Sequence, residues 1–220
     1  MKIYLIPGLG YDERIFKNLD FQEFNVECIN WTEPKQNETL HDFSIRIFEN
    51  KQNGIENIIL IGHSLGGIVS QEIATNYKIE KIILLSSIKS DEENPLHFRI
   101  LKPLGIYKIF TKELCIRTVK YWGNKHGFET DEDKTLFKSM LSKQTNTYLR
   151  WALKELAIWK SPTLPSSTML IQISGEKDKN FPIKLIDKPN YIIEKGNHIM
   201  CYKQPEKINE IILNEIKNGI

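Results

Sequence analysis

The 220-residue chain is short of the features that mark several protein classes. It has three cysteines, Cys28, Cys115 and Cys201, widely spaced and in no CxxC pair. That excludes a disulfide framework and the usual cysteine zinc sites. The thiols are expected to be reduced, small and buried, in a cytoplasmic protein. No apolar run approaches the roughly 20 residues of a membrane span. The run Ile3-Tyr4-Leu5-Ile6 is too short for a signal-peptide core, so stable membrane insertion is not expected. The net charge of +2 is too small to argue for nucleic acid, and no Lys/Arg-rich run or aromatic-basic RNA-binding motif occurs. Repeats and low-complexity segments are absent too.

What is present is one strong local signal. Residues 58–61, Ile-Ile-Leu-Ile, run into Gly62-His63-Ser64-Leu65-Gly66. A helical pattern follows, with Ile68, Val69, Ile73 and Ala74 on one face. A buried strand, a tight Gly-x-Ser-x-Gly turn and a helix are the context a nucleophile elbow requires. Such a turn holds the serine in a strained conformation, and side chains two residues before and after it would clash. The hydroxyl then stands clear of the sheet at the positive end of a helix. The bland alternative is a glycine-rich turn with Ser64 as a helix cap.

Short apolar runs alternate with helical patterns, which argues for a parallel α/β sheet. Strands are expected at 2–6, 25–30, 57–61, 81–86, 168–174 and 190–194. Helices are expected at 12–19, 38–51, 65–77 and 205–217. Between Lys89 and Pro165 the alternation stops, and the pattern gives helices alone, at 96–110, 112–121, 131–143 and 147–160. An all-helical insertion in such a sheet reads as a cap over its C-terminal edge. The expected organisation is a core of residues 1–88 and 166–220 with a cap at 89–165. The cap segment carries 14 Lys/Arg against 9 Asp/Glu. This is either a solvated surface or an attraction for an anionic substrate or membrane.

A serine hydroxyl needs a base, and the base needs an orienting acid. His63 is beside Ser64 but faces along the elbow. His41 falls in a helix, and His97 and His126 fall in the cap. His198, in Gly196-Asn197-His198 just past the last strand, is at the edge where catalytic groups gather in open parallel sheets. Asp178, in Gly175-Glu176-Lys177-Asp178, is the favoured acid. Glu176 is its neighbour, and Asp91 in Asp91-Glu92-Glu93 is a second candidate, although that run reads more simply as solvated.

The order Ser64, Asp178, His198 resembles the α/β-hydrolase superfamily over nearly the whole chain. So do the Gly62–Gly67 elbow, Gly175-x-x-Asp178-x-x-x-Pro182 and the placement of the cap. The chain is similar to small, six-stranded bacterial serine hydrolases, since it begins at the strand that leads into the oxyanion loop. The resemblance implies an α/β-hydrolase fold with a mostly parallel central sheet, and backbone oxyanion donors at Leu9 and Leu65. Pro7 stands where a histidine is common, and the His-Gly-Gly-Gly run of another branch is missing. A serine nucleophile speaks against haloalkane-dehalogenase-like chemistry, which needs a carboxylate.

The expected activity is cleavage of a carboxylic ester or thioester with an apolar acyl group, through a Ser-His-Asp triad and an acyl-enzyme. No metal or organic cofactor is required. Acyl transfer, C–C hydrolysis and lyase chemistry use the same machinery, and a slow-turnover binding protein is a further alternative. Tyr121, Trp122, Trp151 and Trp159, with Phe110 and Ile158, are candidate walls of a substrate pocket, although such stripes are often simple packing. A monomer or homodimer is expected.

Overall fold

The computed structural model describes residues 1–21, 24–52 and 57–217. Six strands form one parallel sheet: β1 (Lys2–Ile6), β2 (Val26–Cys28), β3 (Ile58–His63), β4 (Lys81–Leu85), β5 (Met169–Gly175) and β6 (Tyr191–Ile193). Their order is β2-β1-β3-β4-β5-β6. β3 and β4 are buried along their whole length. This is why they read as unbroken Ile/Leu runs, as strands covered on both faces do.

The helices are α1 (Leu40–Glu49), α2 (Leu65–Ile73), α3 (Leu96–Arg99), α4 (Lys112–Trp122), α5 (Asp131–Ser142), α6 (Asn146–Ile158), α7 (Met200–Lys203) and α8 (Pro205–Lys217). Caps set several of the boundaries. The Thr39 side chain accepts from the Asp42 amide at the start of α1, and Thr145 accepts from Tyr148 at the start of α6. Thr130 and Asp133 form a reciprocal capping box on α5.

Two expected helices are cut short. The one at 12–19 is a single 3-10 turn, Glu13–Phe16. The Asp12 carboxylate takes the Arg14 amide two residues on, a local bond that competes with helix propagation. The one at 96–110 splits into α3 and a 3-10 turn at Ile106–Ile109. Pro103 cannot donate within a helix, and Gly105 adopts φ 65°.

Every described element between β4 and β5 is helical. Polar contacts fasten the two ends of this stretch. Asp91 accepts from Lys160 at 2.7 Å and from the Ser161 hydroxyl at 2.9 Å. Glu93 is buried and accepts from Gln172 on β5 and from the Asp187 amide, both at 2.9 Å. Asp91 and Glu93 therefore form a clasp, and Glu92 between them is exposed.

Candidate active site

Ser64 joins β3 to α2 with φ 52° and ψ −119°, a conformation that side chains rarely adopt. The glycines around it are required by crowding. A Cβ on Gly62 would lie 2.4 Å from the Gly66 carbonyl oxygen, and one on Gly66 would lie 2.0 Å from that of Ile6. The turn is held from the sheet side. Its Ser64 amide donates to the Leu85 carbonyl at 3.0 Å, and the Ser87 hydroxyl donates to the Ser64 carbonyl at 2.6 Å.

The loops after β5 and β6 approach each other as closely as glycine allows. A Cβ on Gly175 would meet the Gly196 carbonyl oxygen at 2.4 Å. That contact brings Asp178 and His198 together. His198 Nδ1 is 2.9 Å from Asp178 Oδ2, and His198 Nε2 is 3.0 Å from Ser64 Oγ. All three side chains are buried. Asp178 Oδ1 also accepts the amides of Asn180 at 2.8 Å and Phe181 at 3.1 Å. An ionised carboxylate only accepts, so His198 Nδ1 carries the proton there. Its Nε2 lone pair is left facing the serine hydroxyl. Asp91, the other candidate acid, is occupied by Lys160 and Ser161. The lysine contact holds its carboxyl down at about 2. Glu176 accepts from the Lys195 amide at 2.8 Å.

His63 is a part of the site that sequence reasoning left without a role. It is buried at the end of β3, and its Nε2–H donates to the His198 carbonyl at 2.8 Å. Its Nδ1 has no hydrogen-bond partner among the described residues. Burial, and then the neighbouring His198, push its pKa down to about 3. It is therefore a neutral strut under the base. The Tyr11 ring stands edge-on to it, with centroids 5.1 Å apart.

The loop after β1 closes the other side. A Cβ on Gly8 would lie 2.9 Å from the Ser64 Cβ. The Gly8 carbonyl accepts the Tyr11 amide at 3.1 Å and the Trp31 indole N–H at 3.0 Å. C=O and N–H point in opposite directions across a trans peptide. Fixing the Gly8 carbonyl therefore fixes the direction of the Leu9 amide.

Ser64, His198, Leu9 and Leu65 all border a cavity of about 450 Å³, within the usual range for small-molecule sites. Its walls are mostly apolar, including Phe110, Phe137, Leu149 and Leu153, and no Lys, Arg, Asp or Glu lines it among the described residues. The polar exceptions include His97 and His126, whose Nδ1 contacts Asn180 Oδ1. Burial lowers the pKa of both histidines.

Of the four expected pocket aromatics, Trp122 lines the cavity. The other three do not. Tyr121 is on the outer face of α4 and is exposed. Trp151 packs at a tilt against Phe43 and donates to the Glu38 carbonyl at 2.8 Å. Trp159 donates to Glu72 at 2.7 Å. Each indole N–H of this pair found a polar partner in the core, which turned the ring away from the cavity. Ile158 is also outside it. The cysteines are free, but Cys201 alone is fully buried, and Cys115 lines the cavity. Among the described residues no group of three or more His, Cys, Asp or Glu could hold a metal ion.

The family described as PGAP1-like alpha/beta domain matches residues 21–99. No curated protein matches the sequence. Solved structures match over nearly the whole length. An esterase from Exiguobacterium antarcticum superposes with a TM-score of 0.75 at 14% identity, covering 99% of this chain and 92% of that one. A hydrolase from Oleispira antarctica gives 0.73 at 12%, covering 99% and 91%. MenH from S. aureus gives 0.71 at 17%, covering 100% and 94%. The six-stranded parallel sheet and these likenesses define an α/β-hydrolase fold. In its fold the chain is similar to α/β-hydrolases over nearly its whole length. Among the described residues no helix is long and apolar enough to cross a membrane.

Proposed function

We propose that the protein is a serine hydrolase that cleaves a carboxylic ester or thioester carrying a neutral, apolar acyl group. The observation that carries this reading is the chain of contacts from Asp178 through His198 to Ser64 Oγ at the wall of an apolar cavity. In this reading His198 Nε2 takes the Ser64 proton as Oγ attacks the carbonyl carbon. The amides of Leu9 and Leu65 stabilise the oxyanion. His198 then gives the proton to the leaving alcohol or thiol, and the acyl-enzyme forms. Water, deprotonated by the same imidazole, attacks the acyl-enzyme and releases the acid. Asp178 keeps the imidazole tautomer and stabilises its charged form.

The helices of residues 89–165 are then a cap, and the apolar cavity holds the acyl chain. No cation lines that cavity among the described residues, which favours a neutral acyl group over an acidic one. The esterase that shares the fold is in keeping with this class. A panel of nitrophenyl esters from acetate to decanoate tests it. Hydrolysis that rises beyond acetate and disappears in Ser64→Ala is the expected result. Equal rates in the two proteins contradict the reading. Adding an alcohol or thiol acceptor separates hydrolysis from acyl transfer.

A further inference from the structure

The outer surface of the stretch from α3 to α4 differs from the rest of the molecule. Among the described residues the four most exposed large hydrophobics are Tyr121, Leu96, Ile109 and Leu104, at 75, 69, 67 and 65% exposure. Single exposed apolar side chains are ordinary, but a concentration of them marks an interaction site. Charge is skewed in the same place. Residues 96–122 carry six Lys/Arg against one Glu, whereas the rest of the chain carries 24 against 27. None of those six cations is ion-paired with an acidic side chain among the described residues. On α4, Leu114, Arg117 and Tyr121 share the exposed face at helical spacing.

This surface adjoins the cavity. Phe98, Phe110 and Trp122 line the cavity from the inside. Leu114 lines it as well and is 46% exposed, so one residue belongs to both cavity wall and outer patch.

We propose that residues 96–122 dock on an anionic lipid bilayer, and that an acyl ester held in that bilayer enters the cavity past Leu114. Lysines and arginines meet the acidic headgroups, while Leu104, Ile109 and their neighbours reach into the boundary between headgroups and acyl chains. The apolar side chains favour a bilayer over a nucleic acid, which rewards cations but not leucine. A second copy in a two-fold dimer would set the same six cations against each other. Docking stands on the surface alone; delivery of the ester rests on the proposed hydrolase activity.

The test uses the full chain with Ser64→Ala, which leaves the lipid intact. It is sedimented with vesicles of phosphatidylcholine and with vesicles of equal parts phosphatidylcholine and phosphatidylserine. Binding to the mixed vesicles is expected to be at least about tenfold tighter than to the neutral ones. Leu104→Asp with Ile109→Asp is expected to weaken it by about tenfold or more. The same pair in the serine-bearing protein leaves cleavage of a short soluble ester unchanged, which also shows that it folds. Absence of vesicle binding overturns the proposal. So does equal binding by the double aspartate variant, or tighter binding to a DNA duplex than to the mixed vesicles. A wild-type protein that binds vesicles but cleaves no soluble ester refutes the hydrolase reading and leaves docking standing. One that cleaves esters without binding does the reverse.

Discussion

Trp31 holds the Gly8 carbonyl through its indole N–H at 3.0 Å, and the two residues come from loops after neighbouring strands. The bond orients the peptide whose other end is the Leu9 amide. Trp31 is thus a positioning residue for the proposed oxyanion site. It packs at a tilt against Tyr148 and Phe43, so Trp31→Phe keeps ring contact while removing the donor.

The expected result for Trp31→Phe is a fall in kcat of about tenfold with KM nearly unchanged. This is less than the 10²–10³-fold cost of deleting an oxyanion donor outright. Steady-state kinetics on a short ester, with thermal melting as a control, checks it. A change in KM alone would assign Trp31 to packing.

The acid of the proposed triad is tested by a pair of variants. Asp178→Asn reverses the hydrogen-bond polarity at His198 Nδ1 and is expected to cost about 10⁴-fold in kcat. Asp91→Asn loosens the clasp to Lys160 and Ser161 and leaves turnover within a small factor. The opposite ranking would move the acid to the loop after β4.

His63 gives a pH prediction. Its folded pKa is about 3 against an ordinary 6.5. Between these values the unfolded chain binds a proton that the folded chain refuses. Stability therefore falls as pH drops from about 6.5 toward 3, by up to about 1.4 kcal/mol per pH unit from this group. His63→Gln removes that slope and keeps a donor for the His198 carbonyl. In urea unfolding at pH 7 and pH 5, the wild type is expected to lose about 2 kcal/mol more than the variant. Parallel losses would mean that His63 is charged or exposed.

The sheet was legible because buried parallel strands are written as local Ile/Leu runs. All six expected strands occur, with ends shifted by at most two residues. The elbow was legible for a related reason: Gly62 and Gly66 answer to contacts within a few residues of Ser64 and to β1 beside it. The side chains of Asp178 and His198, which the structure brings into contact, were found as candidates from their place after β5 and β6. The contacts that support them were not. Trp31 is 23 residues from Gly8, and His63 is 135 residues from the His198 carbonyl that it holds. The pairing of β1 with β2, which brings the Trp31 loop beside the Gly8 loop, is seen only in the structure. Trp151 and Trp159 were misplaced for the same reason. Helical spacing says which residues share a face, but not that Glu38 and Glu72 would capture Trp151 and Trp159.

The most direct measurement is covalent labelling with a fluorophosphonate followed by mass spectrometry of the peptides. Ser64 is expected to be modified stoichiometrically in the wild type. Labelling should be lost in Ser64→Ala and strongly slowed in a His198→Ala variant that remains folded. An unlabelled Ser64, or a label elsewhere on the chain that survives Ser64→Ala, would contradict the assignment of Ser64 as the nucleophile.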